Sequence, residues 1–445
     1  MVDGSQEPRN QIDTKRAVSA IAAATGHHAE YVGPGEAAEF RAKLASTAPA
    51  ARLLSLGSAG ANRNLLLLLT AGENILAIDD DVLCETWTPG GQGDSLAVTG
   101  HRQARIITRF FPTRTAAFDA AHRHPANLLA AHEQLLGREL AVLIGGSPHA
   151  DLSEACSHVR TGLLKNQPLN VTATFSGIAG DAGTYCPYRL LFAPVPLRDQ
   201  LCADGATFAT AMASREVIRI AASAIVTHDC SCMATCMGLS NRTVLPPFPP
   251  RGRNEDGVFG IMLAASRPST LFGHIPVGVL HDSARPSRRL ANRIVSATES
   301  RLSDLLISVV RLCPSTTGQE PGAWTLSMSR VLAGLGSMTR GALVDLVTDL
   351  TLEERRREMA HTDEAASDPR CPDFWRAALT EYRAQLASSI SRPDFPLPCE
   401  FHDAGGGRSG FQALQTFLAS FGELAEGWTA LWETARTMNT AHRVA

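Results

Sequence analysis

One stretch, residues 58–81, limits what this chain can fold into more than any other. The small residues Ser58-Ala59-Gly60-Ala61 open a helical leucine run, Leu65 to Leu69, and Gly72 ends it. Ile75-Leu76-Ala77-Ile78 then reads as a buried strand, and three aspartates, Asp79, Asp80 and Asp81, stand at its end. With the apolar segment 53–56 in front, the pattern predicts a strand-helix-strand unit. Strands so poor in polar residues, joined by so short a connection, are expected to be parallel and covered on both faces. The crossover is expected to be right-handed. The fold class that follows is α/β, a Rossmann-like, mostly parallel sheet with flanking helices. The acidic triplet falls at the carboxyl end of a strand, where open parallel sheets bind ligands.

Carboxylates at the end of a buried strand do nothing for a core. Adjacent ones repel by about 1 kcal/mol per close pair even in water. Alternation along a strand sends Asp79 and Asp81 to one side and Asp80 to the other. Asp79 and Asp81 can then share an oxygen-ligated Mg2+ or Mn2+ that keeps positions open for phosphate oxygens. The bland alternative is a solvated strand end. Arg63 and Asn64, at the start of the leucine helix, favour an anion there; ordinary capping by Asn62 is the alternative.

Composition sets the outer bounds. The 445 residues suggest two or three domains, and 44% hydrophobic with 19% charged residues is enough for a core. The net charge of -3 gives no bulk attraction to nucleic acid or anionic lipid. No run approaches a membrane span, and residues 1–7 lack a signal-peptide pattern. Ten cysteines dispersed along such a chain are expected as free thiols in a reducing cytoplasm.

Further along, residues 15–24 and a segment from Pro34 to about Ala45 read as helices, and 29–32 as a short strand. Residues 89–93 form a glycine-rich loop able to act as a lid. Residues 122–136 are expected as a helix; 140–144, 170–176 and 221–227 are expected as strands. Pro246-Pro247-Phe248-Pro249-Pro250 is a stiff extended segment leading to Asn254-Glu255-Asp256, at the start of a helix over 258–265. That carboxylate pair is poised as a base or hydroxyl ligand; a helix cap is the alternative. A strand over 275–280 ends in His281-Asp282, which makes His281 a candidate ligand. From about 295 the pattern is helical: 302–310, a charged helix opened by the capping box Thr351-x-x-Glu354, and an apolar stripe from Phe411 to Leu431 that suits core or an oligomer interface. Gly405-Gly406-Gly407 is a loop lacking the lysine of a phosphate loop. The sequence divides at 294/295, with residues 90–240 a long insertion in the first part. Cys230, Cys232 and Cys236 suit apolar packing better than a zinc site, since no second Cys-x-x-Cys accompanies them.

The order Gly60-Ala61-Asn62-Arg63-Asn64, Ile78-Asp79-Asp80-Asp81, Asn254-Glu255-Asp256, His281 resembles the GT-A-fold glycosyltransferases, in particular family 2. The resemblance covers about residues 15–290. It implies that Asp79 and Asp81 act as the Asp-x-Asp motif and that Arg63, Asn64, Asp79 and Asp80 serve the donor. It further implies that Asp256, with Glu255, is the base and that His281 completes the metal shell. Residues 238–242 look like the acceptor-side region. The family opens with an apolar strand, and none precedes the helix at 15–24; either that strand is missing or base recognition is built differently.

The function so implied is transfer of a sugar from a nucleotide-diphosphate donor to an acceptor, with Mn2+ or Mg2+ and inversion at the anomeric carbon. Arg285, Arg288 and Arg289 could close over the diphosphate. Two rivals stand beside it: a nucleotidyltransferase, which would want a basic glycine-rich loop, and a degenerate binding or scaffold protein working through its C-terminal helices.

Overall fold

The structure, a computed structural model, describes the chain apart from residues 91–94, 102–104, 122–123, 184–186, 288–297, 314–321, 394, 405–406 and 445. Ten strands among the described residues form one sheet: β1 Asn74–Ile78, β2 Val82–Trp87, β3 Ser95–Thr99, β4 Ile106–Phe111, β5 His149–Asp151, β6 Asn170–Asp181, β7 Glu216–Ala221, β8 Ala224–Thr227, β9 Cys236–Ser240 and β10 Thr270–His281. The main path runs β1-β9-β6-β10-β8-β3-β5; β2 joins β10, and β7 bridges β4 and β6. The class is α/β with a mixed sheet: β6 with β10, β3 with β8 and β3 with β5 are parallel, and the remaining pairs are antiparallel.

β6 and β10 form the spine. Each has 12 residues, almost all buried, as strands covered on both faces should be. Their parallel register sets His281 against Gly180, so β6 and β10 end side by side at Asp181 and His281. Both strands change neighbours midway, and the register shifts between His274 and Gly278.

The expected strand-helix-strand unit does not form. Residues Pro49–Leu53 are a short 3-10 helix, because Pro49 presets a helical φ and an alanine pair follows. The leucine helix itself, α3 in a series with α1 Pro8–Thr25 and α2 Pro34–Ala45, spans Ala59–Leu69 and is capped by Ser58, not Asn62. It leads into β1, whose one partner among the described strands is β9, antiparallel. Helix α1 starts well before the expected residue 15. Ahead of it Val2 makes a parallel bridge to Val32, so the segment beside 29–32 comes from the first residues.

Other expectations are corrected. Residues 140–144 are helical, within Leu140–Gly146; a five-residue apolar run does not discriminate strand from helix. The helix expected over 122–136 is short, Leu128–Glu133, and 122–123 lie outside the described residues. Residues 221–227 hold the end of β7 and all of β8. The region 90–240, read as an insertion, carries β3 to β9. Most of the loop at 89–93 and Gly405-Gly406 lie outside the described residues, as does the 294/295 division.

The strand expected at 275–280 and the helices expected at 258–265 and 302–310 are present, as β10, α4 Glu255–Ser266 and α5 Leu302–Leu312. Then come α6 Ala323–Ser337, α7 Arg340–Ser367, α8 Asp373–Ser389 and α9 Gly407–Val444. Thr351 and Glu354 sit inside α7 and cap nothing. The apolar stripe of α9 is core: Leu414, Leu418, Phe421, Leu424, Trp428 and Leu431 pack with Trp324, Met328 and Leu332 of α6. Glycine permits that crossing, since a Cβ on Gly336 would lie 2.7 Å from the Ala419 nitrogen. The same core includes Leu67, Leu239, Phe248 and Phe259. Trp428 donates to the Leu245 carbonyl and Trp432 to Asn241, so α9 is stitched to the sheet side by hydrogen bonds as well as packing.

Candidate active site

A cavity of about 1660 Å3 opens beside the ends of β1, β6 and β10 and the starts of α3 and α4. Its walls include Arg63, Asp79, Asp80, Asp81, Glu255, Asp256 and His281. Residues separated by some 200 positions therefore meet around one space.

The junction of α3 and α4 is built first. Asn64 is 1% exposed and clips the proline segment: its Oδ1 accepts from the Phe248 N–H at 2.7 Å, and its Nδ2 donates to the Phe248 carbonyl at 2.8 Å. The Ser58 hydroxyl donates to the Pro250 carbonyl. Gly60 is needed here, because a Cβ would run into the Pro249 carbonyl. Asn64 is thus a positioning residue behind the cavity and not part of its lining, against the expectation of a donor contact.

This junction brings Arg63 against two carboxylates. Its Nη1 donates to Glu255 at 2.5 Å and its Nη2 to Asp79 at 2.6 Å. The guanidinium also stands 5.8 Å from the Phe248 ring centre. Burial alone would lower the Arg63 pKa, but Asp79, Glu255 and Asp256 outweigh it and hold it above its ordinary value. Burial pushes the Asp79 carboxyl up in spite of Arg63.

The three aspartates follow the end of β1 as expected, but they form the turn into β2: the Val82 N–H donates to the Asp79 carbonyl and β2 begins at once. Because β2 runs antiparallel to β10 with Val82 opposite His281, Asp81 is delivered to the histidine. Asp81 Oδ2 lies 3.1 Å from His281 Nε2, and the Asp282 N–H donates to the Asp81 carbonyl. His281 Nδ1 is 2.7 Å from the Asp181 carbonyl. Acceptors at both ring nitrogens suit an imidazolium: burial lowers the His281 pKa, but the bonds to Asp81 and to Asp181 more than reverse it. The bond from His281 holds the Asp81 carboxyl below its usual range. Asp80 is exposed on the cavity rim.

Cis ligands of an octahedral cation with bonds near 2.1 Å stand about 3 Å apart, which is the spacing of Asp81 Oδ2 and His281 Nε2. A cation there would have to replace the hydrogen bond between them, with Nε2 giving up its proton. Asp79 does not join them here, since Arg63 holds it, and no group of three potential ligands gathers among the described residues.

Asp256 is placed differently from Glu255. Its Oδ2 accepts from the Ala234 N–H at 3.0 Å and its Oδ1 from the Gly257 N–H at 2.9 Å. No side-chain cation pairs with it among the described ion pairs. Residues 238–242 do not line the cavity: Gly238 packs on Thr174, and Asn241 caps the Leu67 and Thr70 carbonyls. Cys232 and Cys236 are buried among apolar groups, and burial pushes the Cys236 thiol up to about 11, which disfavours metal binding. Arg285 lines the cavity; Arg288 and Arg289 lie outside the described residues.

Several lining residues carried no signal of their own in the sequence. Asp181 was missed because the strand was expected to end at 176, whereas β6 runs through to Asp181. Asp3 comes in beside Val32, and Asp304, Arg355, Glu358 and Tyr382 come from the C-terminal helices. No protein-family model, curated protein or solved structure matches this chain.

Proposed function

We propose that the protein transfers a sugar from a nucleotide-diphosphate donor to an acceptor hydroxyl, amine or thiol, with a divalent cation. The observation that carries this reading is the meeting of four distant motifs around one cavity: Arg63 joins Asp79 to Glu255, Asp81 meets His281, and Asp256 follows directly. It is supported further by their order in the chain, which is that of GT-A glycosyltransferases.

In this reading Asp81 and His281 hold the cation. The mixed oxygen and nitrogen donors favour Mn2+ over Mg2+, which prefers oxygen alone. The cation supplies charge neutralisation to a leaving diphosphate. Arg63, buried and doubly paired, fixes the Asp79 turn against the start of α4 and so sets where Asp256 stands. Asp256 acts as general base, taking the proton of the acceptor as it attacks the anomeric carbon. Two backbone N–H groups orient its carboxylate, while Glu255 is committed to Arg63. Direct displacement with one base inverts the anomeric centre.

A second reading, a binding protein that retains the cavity without transfer, draws on the engagement of Asp79 by Arg63. One experiment separates them: UDP- and GDP-sugars are screened with Mn2+ for binding and for slow hydrolysis, with Asp256→Ala alongside. Transferase function predicts metal-dependent hydrolysis of one donor, lost in Asp256→Ala while donor binding remains. Binding without turnover in either protein supports the second reading, and no nucleotide binding at all contradicts both. Among the described residues no helix is long and apolar enough to cross a membrane.

A further inference from the structure

We infer that Arg114, together with the buried Asp181–Arg215 pair, is a positioning device that fixes residues 281–287 and, through them, the orientation of His281. The inference deepens the metal site proposed above and rests on it for its functional consequence.

Arg114 opens the short helix Arg114–Ala120 and has all five guanidinium donors in use. Nε and Nη2 hold Glu216, which is fully buried, at 3.2 and 3.0 Å. Nη1 reaches Asp282 Oδ1 at 2.9 Å and the Ser283 carbonyl, and Nη2 reaches the Arg285 carbonyl at 2.9 Å. The Arg114 N–H donates to the Ser287 hydroxyl. The second arm is Arg215, 1% exposed, whose Nη2 grips both carboxylate oxygens of Asp181 at 2.8 and 3.1 Å. Asp181 accepts from the Ser283 hydroxyl, its carbonyl meets His281 Nδ1, and the Arg215 N–H donates to the Ser287 carbonyl.

Residues 282–287 belong to neither strand nor helix, so no ladder fixes them. Two arginines hold them instead, at Asp282, Ser283, Arg285 and Ser287. Burying Arg215, Asp181 and Glu216, and covering most of Arg114, costs desolvation that a loop exposed to water would avoid. Such a network is expected where a segment must keep one position. Its geometric product is a histidine whose Nδ1 is fixed by a carbonyl and whose Nε2 points at Asp81. In metal sites, loss of such orienting partners lowers affinity about 10–100-fold. Lysine keeps the charge but cannot reproduce the five-donor fork.

The test uses the full chain with Arg114→Ala and Arg114→Lys. Hydrogen exchange across residues 281–287 reads the clamp without reference to function, and Mn2+ titration followed by electron paramagnetic resonance reads its consequence. The expected result is faster exchange in 281–287 in both variants and Mn2+ affinity lowered about 10–100-fold, partly restored in Arg114→Ala by added guanidinium. If Arg114→Ala does not fold, Arg114→Lys and Ser283→Ala carry the same readouts. Unchanged exchange in a folded variant overturns the clamp. Faster exchange in the variants of a protein that binds no Mn2+ upholds the clamp and sinks the metal site.

Discussion

Two charged clusters face the same cavity, and they differ in how their charges are balanced. On the sheet side oppositely charged groups stand in close pairs: Arg63 with Asp79 and Glu255, Asp81 with His281, Asp181 with Arg215. On the helical side Asp304 of α5 lines the cavity, and Glu354 of α7 is near enough for mutual repulsion. Neither carboxylate has a hydrogen bond or ion pair from its side chain among the described contacts. Burial raises both pKa values, and the arginines nearby do not offset it; Glu354 reaches about 7. The lesson is that pairing dominates the first cluster and burial the second, where Glu354 changes charge near neutrality.

The largest expected effect breaks the first cluster. Arg63→Ala leaves Asp79 and Glu255 facing each other with no cation between them. Removing one side of a buried ion pair costs about 3–5 kcal/mol, to be read by urea unfolding near pH 7. A loss below about 1 kcal/mol would mean that the two carboxylates find water and that Arg63 does not organise the site.

The second cluster yields a smaller, pH-dependent effect. The folded protein holds a proton on Glu354 up to about pH 7, whereas the unfolded chain releases it near the ordinary value of 4.5. The folded state binds more protons over this interval, so this contribution is fully present below pH 4.5 and is lost as pH rises through 7. The loss is on the order of 3 kcal/mol. Glu354→Gln removes the charge, so the variant should be more stable than the parent at pH 8 and nearly equal to it at pH 4.5. A difference that does not change with pH would put Glu354 in water. The smallest effect is at Asp80, which is exposed and has no partner among the described contacts. Asp80→Ala should shift stability by no more than about 0.5 kcal/mol and leave Mn2+ binding intact. A large change would mean that the turn, and not its outer carboxylates, sets the site.

Much of the site was legible because its chemistry is local in sequence. Asp81, Asp256 and His281 stand at the ends of apolar runs, and those positions carried through to the cavity wall. What failed was pairing. The run 53–56 reads as a strand only if proline and alanine context is ignored, and with that strand went the parallel unit and the alternation that paired Asp79 with Asp81. Asn64 is a polar residue at a helix start, and nothing local distinguishes a ligand contact from its true role of holding the Phe248 backbone. Asp181, Arg114 and Asp304 depend on contacts between segments 34 to 171 residues apart, which periodicity does not encode. The α9 stripe was readable as core because eight apolar residues at helical spacing leave few alternatives.

The central claim is that Asp81 and His281, and not Asp79, hold a divalent cation. Mn2+ binding with UDP present, followed by electron paramagnetic resonance in the parent, Asp81→Ala, His281→Ala and Asp79→Ala, tests it directly. One bound Mn2+ in the parent is expected, weakened at least about tenfold in Asp81→Ala and His281→Ala and retained in Asp79→Ala if that variant is folded. No bound Mn2+ in the parent, or equal binding in Asp81→Ala, would contradict it.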